Sequence, residues 1–227
     1  MENSKRGFLP VRHGIKLSKK QSPKTDEELR KMFDIPYASA VGIQYAVQCT
    51  RPDVAFALSV TCRYQACAGE AHWTAVKTIL KYLRRTKDMF LVYGGGELIL
   101  EGYSDASFQS DEGDAKSQSG FVFKLNGGVV AWKSSKQDTT TDSTTEAEYI
   151  AASEAAKEAV WMKNYIQKLG AVLALPSQWE MVGRGDVRMD RVTSAENMAD
   201  PLTKPVSQIA HAQHFGKMGL RNMSYWL

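Results

Sequence analysis

Apolar positions recur along the chain at two periods, and the change of period divides it. In the first ninety or so residues the spacing is helical. Thr25-Asp26-Glu27-Glu28 is a capping box, with Thr at the N-cap and Glu at N3, so a helix starts there and runs toward Phe33. Pro36 ends it, a second run spans Tyr37–Gln48, and Pro52 opens a third carrying Val54, Leu58 and Cys62 on one side. The fourth is the most regular: Trp73, Val76, Leu80 and Leu83 share one face, opposite Lys77, Lys81, Arg84 and Arg85. Ahead of these helices, residues 7–11 and 14–17 alternate around Pro10 and Gly14, as a hairpin or an extended arm would.

Beyond Gly94-Gly95-Gly96 the period shortens. Residues 97–103, 120–125 and 129–134 are strand candidates. Asn126-Gly127-Gly128 between the last two is a hairpin signal, because a tight turn needs residues that tolerate positive φ. A long helix over 144–169 follows, its stripe made by Tyr149, Ala152, Ala156, Ala159, Met162, Ile166 and Leu169. Residues 186–192 read as a further strand, and Ser194 as the cap of a last helix through Leu202. Three strands, a helix, a strand and a helix make an α/β domain, residues 97–227, joined at the glycine run to a mostly helical region, residues 1–96.

Composition changes this picture in one respect. At 227 residues, 43% apolar and 24% charged, the chain is ordinary globular material. No apolar run has the length of a membrane span, and the start carries no apolar stretch of a secretory signal. Three cysteines, Cys49, Cys62 and Cys67, form no CxxC pair, so a reducing compartment, cytoplasmic or nuclear, is expected. The net charge of +4 conceals a split: residues 1–96 hold 16 Lys and Arg against 8 Asp and Glu, whereas residues 97–227 hold 13 against 17. One half suits a polyanion and the other suits cations, although a solvated, unevenly charged surface has the same arithmetic. The Lys77–Arg85 face is likewise either a phosphate-tracking surface or a solvent-facing stripe.

Three acids stand at element ends where a metal site is built. Asp105 follows the first strand candidate, where a turn-capping Asp is equally at home. Ser143-Thr144-Thr145-Glu146 is a capping box, which assigns Glu146 to the Ser143 amide. Glu148 lies about 40° from Ala152 on the helical wheel, beside the stripe and facing the sheet, and is the better ligand candidate. Asp200, before Pro201, is by itself a surface acid.

Taken in order, Tyr103-Ser104-Asp105-Ala106, Ser119-Gly120-Phe121-Val122-Phe123, Trp132-Lys133-Ser134-Ser135-Lys136-Gln137, residues 143–149 and Ala199-Asp200-Pro201-Leu202-Thr203-Lys204 resemble the ribonuclease H domain of plant copia-type retrotransposon Pol polyproteins. Arg6-Gly7-Phe8-Leu9-Pro10, Cys49-Thr50-Arg51-Pro52-Asp53 and the run from His72-Trp73 to Thr86 resemble the reverse transcriptase thumb and connection that precede it. The resemblance implies a ribonuclease H-like mixed sheet with helices, and carboxylates that hold two Mg²⁺ or Mn²⁺ ions to hydrolyse RNA in RNA–DNA hybrids. By position, Asp105, Glu148 and Asp200 are the implied catalytic and metal-binding residues, and Lys77, Lys81, Arg84 and Arg85 the implied hybrid contacts. No membrane and no protein partner is implied.

The chain departs from the family between the long helix and Gly185. The family's strand ending in Cys-Asp-Asn, with its fourth carboxylate, is missing, which reads as an internal deletion near 171–184; Glu180 is the one nearby acid. Weak metal binding and impaired hydrolysis are the expectation, and with no palm aspartates polymerase chemistry is not expected. A non-catalytic nucleic-acid-binding fragment and a retroelement relic without function are the alternative readings.

Overall fold

The computed structural model describes residues 7–94, 98–111, 113–169 and 190–223. The helical half follows its local signals closely. Thr25 Oγ1 accepts from the Glu28 amide, and the Glu28 carboxylate accepts from the Thr25 amide at 3.1 Å, opening α1 (Asp26–Phe33) as the capping box requires. α2 (Tyr37–Gln48) follows Pro36, and a single 3-10 turn at Pro52–Val54 leads into α3 (Ala55–Thr61). α4 (Glu70–Arg85) buries His72, Val76, Ile79 and Tyr82. Its buried face is therefore rotated from the expected one, and Trp73, Leu80 and Leu83 lie half-buried on its flank. The rotation follows from the polar His72, which turns inward to accept the Gly69 amide at Nδ1 (2.9 Å) while Nε2 meets the Ser18 carbonyl (3.1 Å). That contact pins the N-terminal segment, which is an extended arm along α4: the Gly7 amide donates to the Lys81 carbonyl, and Arg85 lies 3.8 Å above the Phe8 ring.

The second half is built on a three-stranded antiparallel sheet, β2 (Glu101–Ser107), β3 (Gln118–Leu125) and β4 (Gly128–Lys136), in that order. The expected hairpin turn is present, with Asn126 and Gly127 at φ 49° and 85°. β2 lies about four residues later than expected, so Asp105 sits within the strand and not after it. Pairing overrides the apolar pattern: the turn fixes the β3 register, β3 pairs with Glu101–Ser107, and this polar strand is covered on both faces.

α5 (Thr144–Lys168) crosses one face of the sheet. Its buried stripe is Ala147, Ala151, Ala155, Ala159, Met162 and Ile166, so the expected one was out of phase in its first half, and Tyr149 and Leu169 are exposed. Alanine at every fourth position lets the helix lie close on β2 and β3, where Leu100, Phe121 and Phe123 meet it. Glu146 accepts from the Asp142 amide (2.8 Å), one residue before the expected one.

The other face packs Val122, Val129, Met198, Leu202, Phe215 and Met218 together with Ala55 of the first half. Residues 194–202 form turns ending in one 3-10 turn, Asp200–Leu202, where a helix was expected. Pro201 brings no N–H, and Asn197 Oδ1 takes the Ala199 amide (3.0 Å), which draws the backbone off a helical path. α6 (Gln208–Lys217) and β5 (Leu220–Asn222) then return to the first half, where β5 pairs with β1 (Met89–Leu91). Beside them Arg51 holds Asp53 through two nitrogens (2.9 and 2.7 Å), and the Tyr82 hydroxyl donates to the same carboxylate. Of the expected strand 186–192, residues 190–192 are not in a strand and the rest lie outside the described residues, as do residues 171–184 and Glu180.

The protein is thus α/β as expected. An antiparallel sheet covered by one long helix is consistent with a ribonuclease H-like fold in which some strands are missing among the described residues.

Candidate active site

The three expected acids come from three elements that meet at one side of β2. Asp105 projects from the strand and is almost wholly buried. Asp200 is brought against it by the turn at Asp200–Leu202, and a glycine permits the approach. Gly120, the β3 partner of Asp105, lies under that turn, where a Cβ would stand 2.8 Å from Leu202 Cβ and 2.9 Å from Thr203 Cγ2. The turn is also tied down by the Ser134 hydroxyl, which donates to the Leu202 carbonyl (2.5 Å). Glu148 comes from the first turn of α5, whose start is fixed to the sheet by Gln137: its amide donates to Ser119 Oγ (2.8 Å) and to the Ala147 carbonyl (2.9 Å).

Two further residues complete the cluster. Thr203 donates its hydroxyl to Asp105 Oδ2 and lies 3.0 Å from the Asp200 carbonyl. Lys204 Nζ lies 2.5 Å from Asp200 Oδ1. Burial raises the Asp105 carboxyl above its ordinary range, with Asp200 adding to it and Thr203 and Lys204 opposing. Glu148 stands on the open side of the cluster; partial desolvation and then Asp105 raise its carboxyl, against a hydrogen bond from the Ala106 amide. Burial lowers Lys204, but the hydrogen bond to Asp200 and the charges of Asp105, Asp200 and Glu148 outweigh it and raise the ammonium. Lys204 is therefore the cation that all three acids share.

The same contacts close the free edge of β2. The Ser104 carbonyl accepts from Asn197 Nδ2 (2.9 Å), and the Ala106 amide is taken by Glu148.

Hard carboxylate oxygens are the donors that Mg²⁺ and Mn²⁺ prefer. The arrangement does not fit such an ion, however: among the described residues no three His, Cys, Asp or Glu side chains stand close enough to hold one, and Asp200 is already paired with Lys204. Lys204 and Thr203 were missed as site residues in the sequence. The signal was there, since Lys204 lies four residues after Asp200 in the quoted motif, the spacing of a paired acid and base.

The basic residues of α4 do not join this cluster. Ala75, Thr78 and Ile79 of α4 face the cavity beside the acids, and none of Lys77, Lys81, Arg84 and Arg85 lines it. Lys77 lies over the Trp73 ring (6.0 Å) and Arg85 over Phe8. The arm instead brings Arg12 and Lys16 to the border of that cavity. No helix among the described residues is long and apolar enough to cross a membrane.

With this geometry in view, comparison with known proteins gives a consistent family. The chain is 40% identical over 91% of its length to the retrovirus-related Pol polyprotein from transposon TNT 1-94 of Nicotiana tabacum, of which it covers 18%. It is 28% identical over 81% of its length to the corresponding polyprotein from transposon RE2 of Arabidopsis thaliana, of which it covers 15%. It is also 46% identical over 58% of its length to a protein of Plasmopara viticola named secreted RxLR effector protein 161, covering 94% of that protein. The chain is thus similar over most of its length to the copia-type, retrovirus-related Pol polyproteins of plant transposons. It spans less than a fifth of the length of the Pol polyproteins it matches. No protein-family model matches it, and no solved structure does.

Proposed function

We propose that this chain is a nucleic-acid-binding piece of a Pol polyprotein, with residues 1–96 a connection remnant and residues 97–227 a ribonuclease H-type domain of impaired hydrolytic activity. The ancestral reaction is hydrolysis of the RNA strand of an RNA–DNA hybrid, dependent on Mg²⁺ or Mn²⁺. The single observation that carries the reading is the pairing of Asp105 on β2, through the Thr203 hydroxyl, with the turn that carries Asp200, two acids far apart in sequence. What speaks for impairment is Lys204, which supplies in covalent form the positive charge the acids require. Lys77, Lys81, Arg84 and Arg85 supply contacts to the phosphate backbone, which need charge and not exact shape.

The test uses a labelled RNA–DNA hybrid with the full chain. Anisotropy is expected to show binding that weakens steeply between about 50 and 200 mM salt. Gel analysis with Mg²⁺ or Mn²⁺ is expected to show cleavage far slower than an intact ribonuclease H gives, and none with Asp105→Asn. Failure to bind hybrid, or cleavage that Asp105→Asn leaves unchanged, overturns the reading.

A further inference from the structure

Beside the acids lies a cavity of about 370 Å³, walled by the N-terminal arm, α3, α4 and the segment that follows β2. That volume falls in the range of small-molecule sites, roughly 300–1,000 Å³. Thr203 and Lys204 belong to both the cavity wall and the acid cluster, so the two adjoin directly. The interior is aliphatic and aromatic, made by Phe56, Val60, Ala75 and Ile79.

Its charged lining has one sign left over. The acid in the wall, Asp111, is already held by Arg63 at 2.7 Å and Lys136 at 3.3 Å. Arg63 is also bound to Gln118, which consumes the polar groups on that side. Lys204 is held by Asp200, and Arg12 remains exposed on the rim. Ser107, Gln109 and Ser110 add hydrogen-bonding groups at the end of β2, where Gln109 is held at φ 46°, a backbone state uncommon for a residue with a side chain.

A ligand that satisfies all of this has a flat, largely apolar body, polar edges and an attached anion. Inorganic phosphate leaves the apolar chamber unfilled, and a purely apolar ligand leaves the cationic rim without a partner. We propose that the cavity binds one nucleotide, its base against Phe56 and Val60 and its phosphate at the rim beside Arg12. The inference rests on the nucleic-acid reading of the adjoining acids. The nucleotide comes either from a strand lying across the acid cluster or from the free pool.

The experiment titrates the full chain with AMP, adenosine and inorganic phosphate by calorimetry, and with a fluorescent 5′-phosphorylated oligoribonucleotide by anisotropy. Two variants probe the two halves of the site: Val60→Phe fills the chamber, and Arg12→Glu reverses the rim charge. Thermal melts confirm that each is folded, and Ala75→Leu replaces Val60→Phe if the latter does not fold. AMP or the oligomer is expected to bind at least about tenfold more tightly than adenosine or phosphate alone. Val60→Phe is expected to lower that affinity by about tenfold or more, and Arg12→Glu to lower it while leaving adenosine unchanged. Binding of the oligomer without AMP assigns the cavity to a strand, and equal binding of both assigns it to the free nucleotide; each supports the proposal. Failure of both to bind the folded parent chain overturns it, as does binding that neither variant changes. Hybrid binding is measured alongside. If it persists while the cavity binds nothing, the cavity proposal alone fails; AMP bound without any hybrid binding defeats the functional reading alone.

Discussion

Replacing Lys204 by methionine keeps the aliphatic stem and removes only the charge that three acids share. Asp200 is left with its side chain 6% exposed and without its ion-pair partner. Breaking a fully buried pair costs about 3–5 kcal/mol, whereas an exposed pair is worth at most about 1 kcal/mol. Lys204 is 41% exposed, so this pair lies between the limits and the loss is about 2 kcal/mol. For a chain of this size that lowers Tm by roughly 4–8 °C. The measurement is calorimetry in EDTA at neutral pH and low salt, with Lys204→Arg as the charge-retaining control. The deficit should shrink in acid: Asp105 and Glu148 already ionise above their ordinary range, and removing Lys204 raises them further. The cost of their charge is thus complete above the raised folded-state values and is relieved as pH falls through them. A Lys204→Met protein that melts with the parent, or whose deficit does not shrink in acid, refutes the shared-cation argument.

Other substitutions probe other contacts. Gly120→Ala places a Cβ against Leu202 and Thr203, and the expected cost is about 1–3 kcal/mol by urea titration, with hybrid binding weakened because Asp200 is pushed from Asp105. Arg51→Met leaves Asp53 charged and buried, its side chain 0% exposed; a loss of about 3–5 kcal/mol in the same titration is expected, and the double variant Arg51→Met, Asp53→Leu should recover much of it. His211 is buried, and that holds its imidazolium down to about 4, despite the opposing pull of Asp53. Below the unfolded value of 6.5 the unfolded chain binds the extra proton, so stability falls by up to about 3 kcal/mol between pH 6.5 and 4; His211→Phe should flatten that stretch of a pH–stability profile.

Much of the helical half was legible because its signals are local. Thr25 and Glu28 bond within one turn, and Pro36 and Pro52 act on their own neighbours. The sheet half was legible only where a turn spoke for it, at Asn126-Gly127. β2 was misplaced because its polar residues, Tyr103-Ser104-Asp105, are covered from both sides by elements that no local pattern announces. The stripe of α5 was set by alanines whose small size matters only against a sheet. The acids were found through the family's motif order, since Asp105, Glu148 and Asp200 share no spacing. Lys204 went unnoticed because its pairing with Asp200 alone looks like a surface contact; its reach to Asp105 and Glu148 depends on the fold.

The ribbon made by β1 and β5 has a kinetic consequence. Met89 pairs with Asn222 across about 130 residues of chain, and the Val129 amide bonds to the Met218 carbonyl between. Closing so long a loop is slow, because its entropy is lost before the contacts it gains are made. α1 to α4 fold through near neighbours, yet Met89, Leu91 and Ala55 do not reach their final packing until residues 215–222 arrive. During synthesis the first half must therefore wait, with an apolar seam uncovered, for β5 to leave the ribosome. A slow phase monitored near Leu91 or Phe215 should then set the overall refolding rate, and the glycine run is a poor place to cut this protein in two.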